Sequence, residues 1–216
     1  DKTNIDLTIQ NLLFDFDHTK WLVDKNEPVA KFFFYNLPKY LLGLTITSSL
    51  VILILNHKNK LPSSFKKYQR QIFILFLGII LIPLVAGNIK KFTNIYCPNQ
   101  LAIYDGKYPY TKILEPYPVD FKPLKVGKCF PAGHAVTGFC FMILFFVFKA
   151  GKRNAGLLFG VALGWVLGAY QMFKGTHFFG DTLVGMLCCF LVALLIVRFV
   201  NLVWKDGVQP SLHKKG

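Results

Sequence analysis

Gly175-Thr176-His177-Phe178-Phe179-Gly180-Asp181 is a short polar break between two apolar blocks, one ending at Phe173 and the other running from Asp181 to Trp204. His177 and Asp181 are four residues apart, so in a helix that starts here they share one face, one turn apart. A carboxylate at that spacing accepts a proton from one ring nitrogen and leaves the other free as nucleophile or base. A second histidine, His134, opens another apolar run as Phe130-Pro131-Ala132-Gly133-His134. Histidine and aspartate are expensive at the edge of lipid, so a functional role is the default reading for both.

Outward from this break, the apolar residues fall into blocks at about Leu37–Asn56, Ile72–Ile89, Ala132–Phe148, Ala155–Phe173 and Asp181–Trp204. The 216-residue chain is 53% hydrophobic, too apolar for an ordinary soluble domain, and blocks of this length read as transmembrane helices. The expected fold class is all-α: a polytopic helical membrane protein, one domain over residues 1–216, with five apolar spans visible. No basic-then-apolar leader precedes the first block, and a helix upstream of Asp1 would make six crossings. Pro83 is expected to kink the second block. Gly156, Gly160, Gly164 and Gly168 recur every four positions, which points to close helix packing rather than catalysis. Residues 1–36, with Phe14, Phe16, Trp21 and Phe32 to Phe34 among charges, suit an interfacial segment or a plain amphipathic connector.

The formal net charge of +14 would fit nucleic acid, but the basic residues lie between apolar blocks, so anionic lipid is the expected partner and nucleic acid is not. Lys58, Lys60, Lys66, Lys67 and Arg70 fill the connector from His57 to Gln71. Lys149, Lys152 and Arg153 follow the third block, and Lys205, Lys214 and Lys215 lie in the tail. With five crossings these regions share one side, cytoplasmic by the positive-inside rule. Residues 1–36, a long loop from Asn88 to Pro131, and both histidine motifs then face the other compartment.

That loop carries lysines 90, 91, 107, 112, 122, 125 and 128 against three acids, with five tyrosines and six prolines. It reads either as a solvated loop or as a basic, aromatic collar for an anionic headgroup; the Lys–Tyr interleaving favours the collar. Cys97 and Cys129 bracket it. A disulfide between them would tie the Lys90 and His134 regions together; two free thiols is the alternative. Cys140, Cys188 and Cys189 lie in apolar blocks and read as reduced packing residues.

Three motifs therefore fall on one face: Lys90, six residues, then Cys97-Pro98; Pro131-Ala132-Gly133-His134; and Gln171, then Lys174, His177 and Asp181. Phosphate chemistry has a use for each. Backbone N–H groups of the Ala132-Gly133 turn at a helix start form an anion site. Lysines neutralise phosphoryl oxygens. One histidine attacks phosphorus and the other moves protons.

The set resembles the type 2 phosphatidic acid phosphatase superfamily, the lipid phosphate phosphatases. Its pattern is Lys, six residues, Arg-Pro; then Pro-Ser-Gly-His; then Ser-Arg, five residues, His, three residues, Asp. Lys90, Pro98, Pro131, Gly133, His134, His177 and Asp181 match in identity and spacing. The resemblance implies an all-helical core, usually of six spans, no metal or other cofactor, and in bacteria an inner-membrane protein with a periplasmic site. It assigns phosphate binding to Lys90, acid–base work to His134, a phosphohistidine to His177 and the orientation of His177 to Asp181. The chain departs at Cys97 for Arg, Ala132 for Ser, and Tyr170-Gln171 for Ser-Arg. Lys174, Lys91 and Lys128 are the expected replacements for the lost charge, with Gln171 in the place of the arginine.

The leading expectation is a membrane phosphatase acting on a lipid phosphate, with the 1-phosphate of lipid A preferred because the basic loop suits a bulky anionic glycolipid. Undecaprenyl diphosphate, phosphatidylglycerol phosphate, and phosphoryl transfer to a second lipid are the alternatives. Two other classes stay open. One is a non-catalytic lipid-phosphate binder or transporter, motivated by the lost arginines. The other is a metal site built from His134, His177 and Asp181. A soluble vanadium-dependent haloperoxidase shares the ligand pattern, but the membrane blocks argue against it. Oligomeric state is open.

Overall fold

A computed structural model describes residues 3–113, 115–122 and 125–205; Lys214 and Lys215 of the basic tail lie outside them. The chain enters through helix α1 (Ile5–Asn11) and a small hairpin, β1 (Phe14–Asp15) against β2 (Lys20–Trp21). Helix α2 (Pro28–His57) follows. Glu27 starts it: its carboxylate accepts from the amides of Val29, at 3.1 Å, and Ala30, and Pro28 has no N–H to satisfy. Within α2, Phe32–Asn36 widens into a π-helical turn.

Helix α3 (Gln69–Thr93) continues through Pro83 and ends with Lys90 and Lys91 in its last turn, where cations suit the helix dipole. Asn94 closes it in the left-handed conformation, φ 48°. The loop expected from Asn88 therefore begins at Asn94, and Lys90 is held on a helix. Helix α4 (Gly133–Val147) tightens to a 3-10 stretch at Cys140–Ile143. Helices α5 (Arg153–Phe173) and α6 (Phe179–Lys205) complete the chain.

Four helices, α2, α3, α5 and α6, are long and apolar enough to cross a membrane by length and composition. The third apolar block of the sequence is the shorter α4. Its rise of roughly 25 Å falls below a hydrocarbon core of about 30 Å. It is also the helix most enclosed by protein: Ala135, Val136, Phe139, Cys140 and Ile143 are buried among α3, α5 and α6. The fold is an all-α polytopic helical membrane protein.

The glycine stripe of α5 faces α4. A Cβ on Gly138 of α4 would sit 2.5 Å from the Gly164 nitrogen, and one on Gly160 would strike the Met142 backbone. Bulk on either helix would push the pair apart, so the stripe is packing, as its spacing indicates. Leu187, Leu191, Leu194, Leu195, Phe199 and Leu202 of α6 are exposed and apolar, the outward face expected of a helix in lipid.

The basic connectors gather at one end. Tyr68, Arg70, Lys149 and Arg153 line one cavity with Asn201, whose side chain bonds Arg70. At the other end, residues 3–27 and the loop from Asn94 form one packed cap. Phe14, Tyr96, Leu101, Tyr104 and Phe178 are its buried core. The Tyr104 hydroxyl donates to Asn11 Oδ1 at 2.7 Å, and the Gln10 amide donates to the Met172 carbonyl at 3.0 Å. The tyrosines of the loop thus point inward as structure. Residues 28–36, assigned from sequence to an interfacial segment, belong to α2.

Candidate active site

The α5–α6 break is built to place His177. Thr176 turns the chain by donating its hydroxyl to Gln171 Oε1 at 2.7 Å and its amide to the Gln171 carbonyl at 2.9 Å. Gly175 is left-handed, φ 69°, with the Trp21 indole packed where a side chain would begin, so only glycine fits. Helix α6 then starts with two carboxylates at its positive end. Asp6 accepts from the Gly180 amide at 2.6 Å, and Asp181 from the Phe178 amide at 3.0 Å.

His177 is 4% exposed and Asp181 3%. His177 Nδ1 lies 3.3 Å from Asp181 Oδ2. With Nδ1 donating to the carboxylate, Nε2 carries the lone pair. Burial pushes the His177 pKa below the ordinary value of 6.5, and the Asp181 bond and charge oppose this in part. The ring is therefore neutral at neutral pH, as a nucleophile must be.

His134 stands at the first turn of α4, with its ring centroid 6.5 Å from that of His177. Tyr35 packs on its other side at 4.6 Å. Lys90 reaches across from α3: its ammonium is 3.4 Å from the Lys128 carbonyl and 3.5 Å from that of Cys129, and a Cβ on Gly133 would lie 3.1 Å from it. Gly133 therefore lets the ammonium sit against the start of α4. Lys174 is 9% exposed and lies over the Tyr170 ring at 4.7 Å and the Tyr35 ring at 5.6 Å. Burial lowers its pKa, helped by the charge of Lys31. Lys90 and Lys174 are the cations whose charge reaches His177, and Lys39 joins them at His134.

Gln171 is 1% exposed, and among the described residues its Nε2 donor has no hydrogen-bond partner; the Tyr170 hydroxyl is also buried and unpartnered among them. Buried orphan donors are rare unless something else occupies them, and these two stand where the Ser-Arg pair of the motif would be.

Cys97 and Cys129 are joined, with Cα atoms 5.0 Å apart. Cys129 Sγ is 3.4 Å from His177 Nδ1, so the cross-link abuts the His177 ring. Among the described residues, Cys97, Cys129 and His177 form the one close group of three metal-capable side chains, and two of its members are tied up in the disulfide.

Three sequence assignments change. Ala132 is fully buried and its amide donates to the Asp181 carbonyl at 3.0 Å, so it joins α4 to α6 and has no N–H left for phosphate. Lys91 donates to Asn88 Oδ1 at 2.9 Å and, like Lys128, lines a cavity on the Cys97 side of the disulfide. Neither replaces the lost arginines beside the histidines. Tyr35, Lys39 and Asp6 were not singled out from the sequence. The aromatic run around Tyr35 looked interfacial, and nothing local links Asp6 to a partner 174 residues away.

Searches of curated proteins and of solved structures return no match. The family model of the PAP2 superfamily matches residues 71–205, which contain Lys90, His134, His177 and Asp181, and the chain belongs to that superfamily, whose members are phosphatases acting on lipid phosphates.

Proposed function

We propose that the protein is an integral membrane phosphatase that releases phosphate from an anionic lipid through a phosphohistidine on His177. The observation that carries this is the facing pair: buried His177 held by Asp181, with His134 across a 6.5 Å gap between ring centroids. The phosphoryl group enters between them. His177 Nε2 forms the bond to phosphorus while the ester P–O bond breaks, and His134 gives its proton to the departing oxygen. His134 then takes a proton from water, whose oxygen bonds to phosphorus as the P–N bond breaks. Inorganic phosphate leaves and both rings return to their starting states.

Lys90, Lys174 and the Gln171 donor hold the phosphoryl oxygens, together with the first-turn amides at Gly133 and His134. No step calls on a metal or cofactor. The Lys and Arg bias supports a histidine-bearing end on the non-cytoplasmic face, periplasmic in a bacterial inner membrane. The 1-phosphate of lipid A is the preferred substrate, ahead of undecaprenyl diphosphate and phosphatidylglycerol phosphate.

The test is phosphate release by purified protein in detergent from these lipids and phosphatidic acid, with and without chelator, alongside His177→Ala. Chelator-resistant release that the variant loses supports the reading. A folded protein that binds one of these lipids without releasing phosphate would replace it with the binder.

A further inference from the structure

Beside the catalytic centre, on the far side of the disulfide, a cavity of about 750 Å³ opens to solvent. Cys97 lines it, and Cys97 is bonded to Cys129, whose sulfur touches His177. The two spaces therefore share one wall. The size is that of a small-molecule site rather than a surface dimple.

Three lysines line it, Lys91, Lys125 and Lys128, and no acidic residue does. All three are exposed, and among the described residues none has a carboxylate within ion-pair distance. Three like charges around one cavity repel one another, and an anion placed among them relieves that repulsion.

The wall is built, not loose. The Tyr96 and Tyr108 rings stack at 3.9 Å with 2° between their planes, and both line the cavity. The Tyr96 hydroxyl donates to the Lys125 carbonyl at 2.6 Å. The Gly127 amide donates to Asn94 Oδ1 at 2.7 Å, and the Cys129 amide to the Ile95 carbonyl at 2.9 Å. Residues 125–129 are thus pinned along 94–97, which fixes where Lys125 and Lys128 leave the backbone.

We infer that this cavity binds a second anionic group of the lipid headgroup while the scissile phosphate lies between His134 and His177. The inference rests on the phosphatase reading and narrows it to headgroups that bear two separated negative groups. One phosphate is removed and the other is the handle.

The experiment compares an acylated glucosamine disaccharide with phosphates at both ends and the same lipid bearing only the reducing-end phosphate. The kcat/KM ratio of the first over the second is measured for wild type and for the Lys91→Gln/Lys125→Gln/Lys128→Gln variant. Wild type is expected to favour the bisphosphate, and the variant to lower that ratio about tenfold, through KM. A parallel measurement maps lysine acylation by mass spectrometry with each lipid present. Stronger protection of the three lysines by the bisphosphate supports the site whether or not turnover occurs. A wild type that hydrolyses neither lipid removes the phosphatase reading alone, because protection still decides the cavity. Equal loss on both lipids, or equal protection by both, overturns the inference and leaves the lysines as general attraction to an anionic surface.

Discussion

His177 Nδ1 and Asp181 Oδ2 stand 3.3 Å apart in a place where both side chains are almost wholly buried. Asp181 also accepts the Phe178 amide, and its carbonyl receives the Ala132 amide, so the residue is fixed from three directions. That rigidity sets the His177 tautomer. Asp181→Asn keeps the shape but offers an amide where the ring needs an acceptor. Phosphate release is expected to fall about 100- to 10,000-fold in kcat, with folding intact. Full activity in this variant would dismiss the pairing.

The pH behaviour of His177 follows from its burial. Its folded pKa lies below 6.5, because desolvation outweighs the Asp181 bond and charge. The unfolded chain takes up a proton near pH 6.5 that the folded chain still refuses, so stability falls as pH drops below 6.5. Histidine-labelled protein followed by NMR is expected to show one ring, identified by its loss in His177→Ala, titrating below 6.5. Asp181→Asn removes a group that raises the pKa and is expected to move the midpoint lower still. A wild-type midpoint above 6.5 contradicts this.

The legible part of the molecule was whatever repeats or pairs locally. Apolar blocks gave the helices, the glycine stripe gave the α4–α5 contact, and the spacing of His177 to Asp181 gave the buried pair. Long-range geometry was not legible. The Ala132 amide looked free for an anion because nothing in its neighbourhood announces the Asp181 carbonyl. Lys90 was marked by its motif, whereas Lys91 and Lys128 read only as replacements for the lost charge; adjacent residues on α3 point about 100° apart, so Lys90 reaches the start of α4 while Lys91 lines the neighbouring cavity. Tyr35 reaches His134 from a π-helical turn, a local widening that aromatic patterning does not reveal.

The disulfide ties two segments separated by 32 residues and touches the His177 ring. Replacing both cysteines by alanine is expected to remove about 4 kcal/mol of stability by the loop-entropy relation. Thermal unfolding in detergent measures that loss, and phosphate release is expected to fall with it as the Cys129 contact to His177 loosens. Two freely alkylated thiols in the native, unreduced protein would end this account.

Helix contact through the glycine stripe makes Gly160→Ala costly. The new methyl would enter the Met142 backbone, which no rotamer change relieves. A destabilisation of about 1–3 kcal/mol is expected, the usual range for overpacking. Gly43, with open space around the position of a Cβ, is the control, and Gly43→Ala is expected to be neutral or stabilising. Equal melting temperatures for the two variants would mean that α4 and α5 do not pack this closely.

Lys174 tests whether the missing arginines have been replaced. Its ammonium is nearly buried against Tyr170 and Tyr35, and its charge reaches both histidines. A buried cation with no carboxylate beside it is costly, and a phosphate arriving in the site supplies the missing charge. Lys174→Met keeps the aliphatic stem over the rings and removes only the charge. The expected result is a loss of about 100- to 1,000-fold in kcat/KM, the range seen when one hydrogen-bonding stabiliser is removed from a reacting centre. The melting temperature is expected to stay level or rise, because the uncompensated charge is gone. Wild-type kinetics in Lys174→Met would leave the phosphate to Lys90 and Lys39 and return Lys174 to the packing of the aromatic cluster.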